Sequence, residues 1–354
     1  MAIPIAETTH GEAAEATPGH LDVHAHIHPP RFTAALERLA GGDPSGGLDR
    51  FLADAAEKGA RAAVSPTARF MYAPLEERIE LLDRGGIAVQ VLSAGSSLAV
   101  PLPEEANRAL VAAWNDAVDA EIREFDGRFL MFASLPFPHV EAALDELERV
   151  GDRASVVGFT MNSQIQGRAL ADEAWKPVFR AWNERSAVVF CHPNGFRCGP
   201  FEPRYLTVDV GTQFEDTLTG LQLAESGYLD EFPDIRWIVP HLGGTLPFVI
   251  GRVDEHWERD APTRQTALKP SEYLNRLLFD TAGHDAFAVK VAVERFGVDK
   301  FLFGSDFPMV RPEQLPELLT ETCGAIEQLG ADPNTLLATA RRALGLDALG
   351  AETV

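Results

Sequence analysis

Leu21-Asp22-Val23-His24-Ala25-His26-Ile27-His28 is the stretch that decides the fold. In an extended strand, successive side chains alternate faces, so His24 and His26 point the same way. Two imidazoles on one face, near enough to share an ion, are the beginning of a metal site. Leu21, Val23, Ala25 and Ile27 are apolar and fall on the other face, which suits a strand buried on both sides. Further ligands must then arrive from later strands that end on the same side of the sheet.

The chain is long enough to supply them. It has 354 residues, 45% of them hydrophobic, which accommodates a closed α/β barrel of roughly 250 residues plus insertions as one domain. A formal charge of −22 excludes nucleic acid and anionic membrane surfaces as partners, since either needs a basic face. The same charge means that an acidic substrate needs a locally placed arginine to hold it. Cys191, Cys198 and Cys323 form no CxxC pair, so neither a zinc ribbon nor a disulfide framework is expected, and the chain reads as cytoplasmic. No apolar run approaches the ~20 residues needed to span a bilayer, and the N-terminus lacks the pattern of a signal peptide.

Residues 1–19 lack an apolar period and read as a mobile tail before a barrel over 20–354. The first strand is broken at Pro29-Pro30. Strands are then predicted at 87–92, 129–135, 155–160, 187–191, 236–240, 277–280 and 301–304. Helices are predicted at 48–58 and 75–84, and then at 104–125, 139–150, 172–185, 205–226, 244–258, 285–296 and 313–329, with a final one at 334–343. Eight short, apolar strands, each followed by a helix, point to a (β/α)8 TIM barrel rather than an open sheet. No GxGxxG follows the first strand, which weakens a dinucleotide-binding reading.

Barrel enzymes carry their reactive groups at the C-terminal ends of the strands. Those positions yield His24 and His26, His192 after Val188–Cys191, His241 after Ile238–Pro240, and Asp306 after Phe301–Ser305. Taken singly, each is read as readily as a packing residue; five in a chain with ten histidines form a metal site. Mixed nitrogen and oxygen ligation suits Zn²⁺, with Mn²⁺, Fe²⁺ and Co²⁺ as alternatives.

The pieces Asp22-Val23-His24-Ala25-His26, Phe190-Cys191-His192-Pro193, Pro240-His241-Leu242-Gly243-Gly244 followed by Leu246–Arg252, and Phe303-Gly304-Ser305-Asp306-Phe307-Pro308 resemble, in this order and spacing, the amidohydrolase-2 branch of the amidohydrolase superfamily. The resemblance extends over about 20–346 and is strongest to its muconate-semialdehyde decarboxylases; the His-x-His of the first strand, where the benzoate-type members have Glu-x-His, tilts it that way. It implies that His24, His26, His192 and Asp306 are the ligands of one divalent ion and that His241 is the general base toward water held there. Two-metal members of the wider class use a bridging lysine at the end of strand four, and this chain has none there. The resemblance further implies that Arg252 enters a neighbouring subunit's site to bind a substrate carboxylate, making a homodimer; a plain helix arginine paired with Asp254 or Glu255 is the other reading. Arg69 is the candidate for a second substrate-binding arginine. Asn194 replaces an aromatic residue and Phe307 a tyrosine, and both are expected to line the pocket.

Several neighbours read less sharply. Asp22 either orients a ligand or caps the strand entry, and Asp280 and His284 at the end of strand seven are candidates to touch substrate. His28 reads as a strand-exit residue, His139 and His256 as surface positions, and Cys191 as a buried, inert thiol. The expected activity is metal-dependent, non-oxidative decarboxylation of an unsaturated or aromatic carboxylic acid. The alternatives are a hydrolase or hydratase using the same ion, and a binding protein that has lost catalysis.

Overall fold

The computed structural model describes residues 19–346 apart from 41, 66, 196–205, 261–265 and 284. Residues 1–18 of the expected tail, Cys198 and His284 therefore lie outside the described residues. Among the described residues eight parallel strands form one sheet in sequential order: β1 His20–His26, β2 Ile87–Ser93, β3 Phe129–Ser134, β4 Val156–Asn162, β5 Val188–His192, β6 Arg236–Val239, β7 Leu278–Asp280 and β8 Phe301–Leu302. The barrel closes where the chain that follows β8 meets β1. Val23 N donates to Phe303 O (2.9 Å), His26 N to Phe307 O (2.8 Å), and Asp306 N to His24 O (2.8 Å).

Parallel strands need a covering layer on their outer face, and the helices provide it. Trp114, Trp175, Trp182 and Trp237 are all fully buried there. Phe132 and Phe190 stack at 5.2 Å, and Phe190 meets the His24 ring edge-on at 4.8 Å. Apolar packing thus ends where the histidines begin. Register levels the strand ends: His26 pairs with Ser93, and Asn162 with His192.

Two departures from the sequence reading have local causes. Pro29-Pro30 does end β1, but it also starts a helix over Pro30–Leu39. A proline at the first helical position loses only an N–H that has no partner anyway, and Phe32 and Leu36 then bury. Strand β8 stops at Leu302 rather than 304 because Gly304 N leaves the ladder for Thr281 Oγ1. Among the described residues no helix is long and apolar enough to cross a membrane.

One buried charge ties the first strands together. Arg78, on the helix Glu76–Arg84, is fully enclosed. Its Nη1 donates to Gln90 Oε1 (3.0 Å), and its Nη2 to the carbonyls of His26 (2.5 Å) and Phe70 (2.8 Å). Gln90 Nε2 donates onward to Asp22 Oδ2 (2.8 Å), which also accepts from Ser305 Oγ (2.6 Å). Asp22 Oδ1 takes the backbone N–H of Ser305 and of His24. Burial draws the guanidinium down to about 9 and pushes the Asp22 carboxyl up. The Asp22 charge favours the protonated guanidinium, while hydrogen bonds from Ser305, Gln90 and the His24 backbone oppose the effect of burial on Asp22. Arg78→Met strips one member from this pair, and breaking a buried pair costs about 3–5 kcal/mol. Urea unfolding of the variant is expected to fall by that order; a loss below about 1 kcal/mol would contradict the role assigned to Arg78.

Candidate metal centre

Five side chains from three strand ends and the loop after β8 converge at the barrel mouth. His24 Nε2 lies 3.2 Å from His26 Nε2, which lies 3.3 Å from His192 Nε2. Asp306 Oδ1 sits 3.0 Å from His26 Nε2 and 3.3 Å from His24 Nε2, and its Oδ2 is 3.6 Å from His241 Nε2. Ligands about 2.0–2.1 Å from one tetrahedral centre stand about 3.3 Å apart, so this spacing is that of a ligand shell.

Proton accounting gives the same answer. His192 Nδ1 faces Pro193 O at 2.8 Å, and a carbonyl can only accept, so Nδ1 carries the proton. His24 Nδ1 faces Asp280 Oδ2 at 2.7 Å, and His241 Nδ1 faces Asp216 Oδ2 at 2.9 Å. With the Nδ1 proton so anchored, each ring turns Nε2 inward, the nitrogen that offers its lone pair once a cation displaces the second proton. His26 Nδ1 is joined to Ser93 Oγ at 2.9 Å. Lone pairs and a carboxylate facing one another at these distances fit a cation and little else. The titration behaviour expresses the same demand. Burial disfavours charge on His24, yet Asp280 and Asp306 lift it to about 9. His241 is likewise raised by Asp216 and Asp306 against burial. Burial and the neighbouring imidazoles hold His192 far down, and burial lowers His26 too. Asp306, despite burial, is held well below the carboxylate range by these histidines.

The local backbone is strained where the groups must turn inward. His241 (φ +52°), Leu242 (φ +61°) and Asp306 (φ +55°) are non-glycine residues in the left-handed region, at about 1–3 kcal/mol each. His241 N is tied to Asp280 Oδ1 at 2.9 Å and Asp306 N to His24 O, so tertiary bonds hold the strain. Gly244 (φ +63°) completes the turn; a Cβ there would meet Gln213 O at 2.1 Å.

Other expected residues are distributed differently. Asp280 does not face substrate: its oxygens hold His24 Nδ1 and the backbone N–H groups of His241 and Ala282. Asp22 orients rather than caps, through His24 N and Ser305. Arg69 is exposed, lies over the Phe70 ring and pairs with Glu77, so it does not reach the mouth. Phe307 is fully buried between Phe70 and Arg78 instead of lining the pocket, because its N–H and carbonyl join the closure seam that draws the ring inward. Asn194 does line the cavity, its Nδ2 donating to Gln164 O at 2.7 Å. Arg252 is exposed on the helix Leu246–Arg259, and neither Asp254 nor Glu255 forms an ion pair with it. His28 does stand just past the exit of β1, where it is buried between Phe32 and Tyr72. His139 is half-buried, with Nε2 donating to Leu102 O at 3.1 Å, and His256 is half-buried on its helix. Cys191 is buried, and burial pushes its thiol up.

A cavity of about 990 Å³ opens beside the cluster. It touches the centre at Gly95, where an added Cβ would lie 3.1 Å from His26 Nδ1 and 3.4 Å from His192 Cε1. Among its described lining residues Lys58 is the one cation, and Glu215 the one anion. Sequence reasoning missed Asp216, Lys58 and Glu215. The first and last sit one turn inside a helix otherwise read as covering layer, and Glu215 accepts from Ser163 Oγ and from the N–H groups of Asn194 and Gly195. Thr217 and Thr219 after them carry no metal-ligand signal, so only the fold reveals which way this face turns.

Fold and cluster together define a class: a (β/α)8 barrel with a histidine- and aspartate-lined centre at its C-terminal mouth. The chain belongs to the Amidohydrolase family, whose model matches residues 21–345. It is 33% identical to 6-methylsalicylic acid decarboxylase of Aspergillus aculeatus over 81% of this chain and 84% of that one. It is 28% identical to 2-amino-3-carboxymuconate-6-semialdehyde decarboxylase of Dictyostelium discoideum over 73% and 77%. A 5-carboxyvanillate decarboxylase of Novosphingobium aromaticivorans, solved with bound manganese and 3-methoxy-4-hydroxy-5-nitrobenzoic acid, superposes with a TM-score of 0.73 at 19% identity, covering 93% of this chain and 98% of that one.

The charge balance has a pH signature in protein stripped of metal by a chelator. His24 binds its proton more tightly folded than unfolded, so its contribution is full below pH 6.5 and is lost as pH rises through about 9. His241 acts in the same direction. The unfolding free energy of chelated protein, followed by urea titration, is expected to drop between pH 6.5 and 9. A flat profile across that window would contradict the assignment.

Proposed function

We propose that this chain is a metal-dependent, non-oxidative decarboxylase of an aromatic or unsaturated carboxylic acid, with His24, His26, His192 and Asp306 as the ligands of one divalent ion and His241 as the acid–base residue. The observation that carries the reading is the inward convergence of Nε2 lone pairs and the Asp306 carboxylate beside a cavity of substrate size. Its relatives, decarboxylases of aromatic and muconate acids, supply the reaction class. The three-nitrogen, one-oxygen donor set favours Zn²⁺, with Mn²⁺ supported by the neighbouring fold. The cysteine pattern supports a cytoplasmic setting.

A divalent ion bound there supplies a Lewis acid that polarises a substrate oxygen and acidifies water. The residues of the chain do the rest. Asp216 fixes the His241 tautomer and favours its protonated form, so Nε2 delivers a proton into the mouth. That proton joins the carbon that releases its carboxylate; the bonding pair of the departing CO₂ becomes the new C–H bond. No electron acceptor enters the balance. Asp280 holds His24 and the His241 backbone in one piece, which keeps acid and ligands in register.

The cavity wall gives a carboxylate little to grip, since its one described cation, Lys58, is paired with Asp54 at 2.7 Å. This supports Arg252 as a group donated across a homodimer. Arg252 lies one turn beyond Phe248, which is exposed on the same helix, and Phe214 and Leu218 are exposed on the helix Thr212–Glu225. An exposed ring one turn from an arginine that has no ion-pair partner among the described residues suits a subunit interface.

Purified, metal-loaded protein is expected to release CO₂ anaerobically, without added cofactor, from hydroxybenzoates or muconate acids. His241→Ala is expected to lower that rate about 10²–10⁴-fold while retaining its metal. Incorporation of labelled solvent oxygen into an organic product, without CO₂, would favour a hydrolase instead. Mixing inactive Arg252→Ala with inactive His241→Ala protein is expected to restore activity through hybrid dimers; no recovery after verified subunit exchange would refute the shared site.

A further inference from the structure

A second chamber of about 310 Å³ adjoins the first, and Lys58 and Ser97 line both. It is reached from β1 itself. Two residues beyond His26, His28 turns into this chamber's wall, with its N–H bonded to Met71 O at 2.6 Å. Its ring stacks on Phe32 (5.4 Å, 26°) and on Tyr72 (5.8 Å, 25°), and Phe51 closes edge-on against Phe32 at 6.3 Å. The imidazole is only 6% exposed, and among the described residues its Nδ1 has no hydrogen-bond partner. A buried polar nitrogen in an aromatic box is costly unless something brings it a hydrogen bond.

Volume identifies the kind of occupant. A dry cavity of about 150 Å³ accepts benzene, so this chamber takes a substituted six-membered ring with room to spare. Phe32, Phe51 and Tyr72 give the chamber a π-rich wall that suits a flat, aromatic group. Lys58 and Ser97, which bound both spaces, set the chamber directly against the cavity beside the metal centre, and His28 stands two residues beyond His26.

We propose that the second chamber receives an aromatic ring carried by the acid substrate at the end remote from its reacting carboxylate, with His28 reading a hydroxyl or carbonyl on that ring. The preferred substrates are therefore two-part acids rather than single small rings. This rests on the decarboxylase reading for which end of the molecule reacts, but the chamber's selectivity is measurable without any reaction.

Gly59 supplies the test. It lies within the helix Gly47–Ala63 and lines the chamber, and a Cβ added to it meets nothing within 4 Å. Leucine there improves helix propensity while occupying the space. Calorimetry on metal-loaded protein compares biphenyl-3-carboxylate with benzoate. The wild type is expected to bind the biphenyl acid at least about tenfold more tightly, and Gly59→Leu to bring that ratio close to unity. His28→Phe retains the stack but removes the nitrogens. It is expected to keep the biphenyl preference and lose the additional gain that a hydroxyl on the distal ring confers on the wild type. Equal affinities in the wild type, or a preference untouched by Gly59→Leu in a variant of undiminished thermal stability, would overturn the proposal. CO₂ release is scored separately, on the hydroxybenzoates and muconate acids. Selective binding of the biphenyl acid by protein that releases CO₂ from none of these keeps the chamber and refutes the reaction, whereas CO₂ release without binding selectivity does the reverse.

Discussion

Each imidazole at the mouth of this barrel is gripped from behind. A carboxylate, a carbonyl or a hydroxyl holds every Nδ1, and the opposite nitrogen is thereby committed to the centre. The charges at the front are balanced rather than independent: the carboxylates favour protonated His24 and His241, while burial and neighbouring imidazoles hold His26 and His192 down. The stability of the cluster comes from the rear contacts and from the cation that the front demands. Asp280 is the hub, since one oxygen holds the His24 ring and the other takes the His241 backbone N–H. A single side chain at the end of β7 thus joins the His24 imidazole of the first strand to the His241 backbone beyond the sixth.

Strain and charge are concentrated in the same few residues. His241 and Asp306 occupy left-handed backbone that neither prefers, and both are anchored by backbone bonds to distant elements. Beneath them, Arg78 and Asp22 bury opposite charges without touching, with Gln90 as intermediary. The glutamine orientation is determined by its two neighbours, one able only to donate and the other only to accept. The polar layer under the metal centre is consequently directional, running from Arg78 to Ser305.

Much of this was legible before any coordinates. The strands announced themselves because parallel strands buried on both faces are short apolar runs, and strand ends in a barrel are where ligands must lie. His24, His26, His192, His241 and Asp306 all follow from that rule, and the structure brings all five together. What escaped notice was anything carried by a helix or by a contact remote in sequence. Asp216 reaches His241 from a helical position whose neighbours suggest only packing, and Asp280 is 256 residues from His24. Between Arg69 and Arg78 the sequence offers no local discriminator. One lands on a 3₁₀ turn facing solvent, the other on the inward face of the following helix, and only the packed barrel separates them. The helix after Pro29-Pro30 was missed because proline was read as a stop and not as a start.

The seam between β1 and the chain after β8 has a consequence for biosynthesis. Residues 23–26 leave the ribosome well before their hydrogen-bonding partners at 303–307, and His26 precedes Asp306 by 280 residues. Through most of translation His24 and His26 have neither Asp306 before them nor Asp280 behind them. The cluster at the mouth is therefore assembled only when the ring of strands is joined.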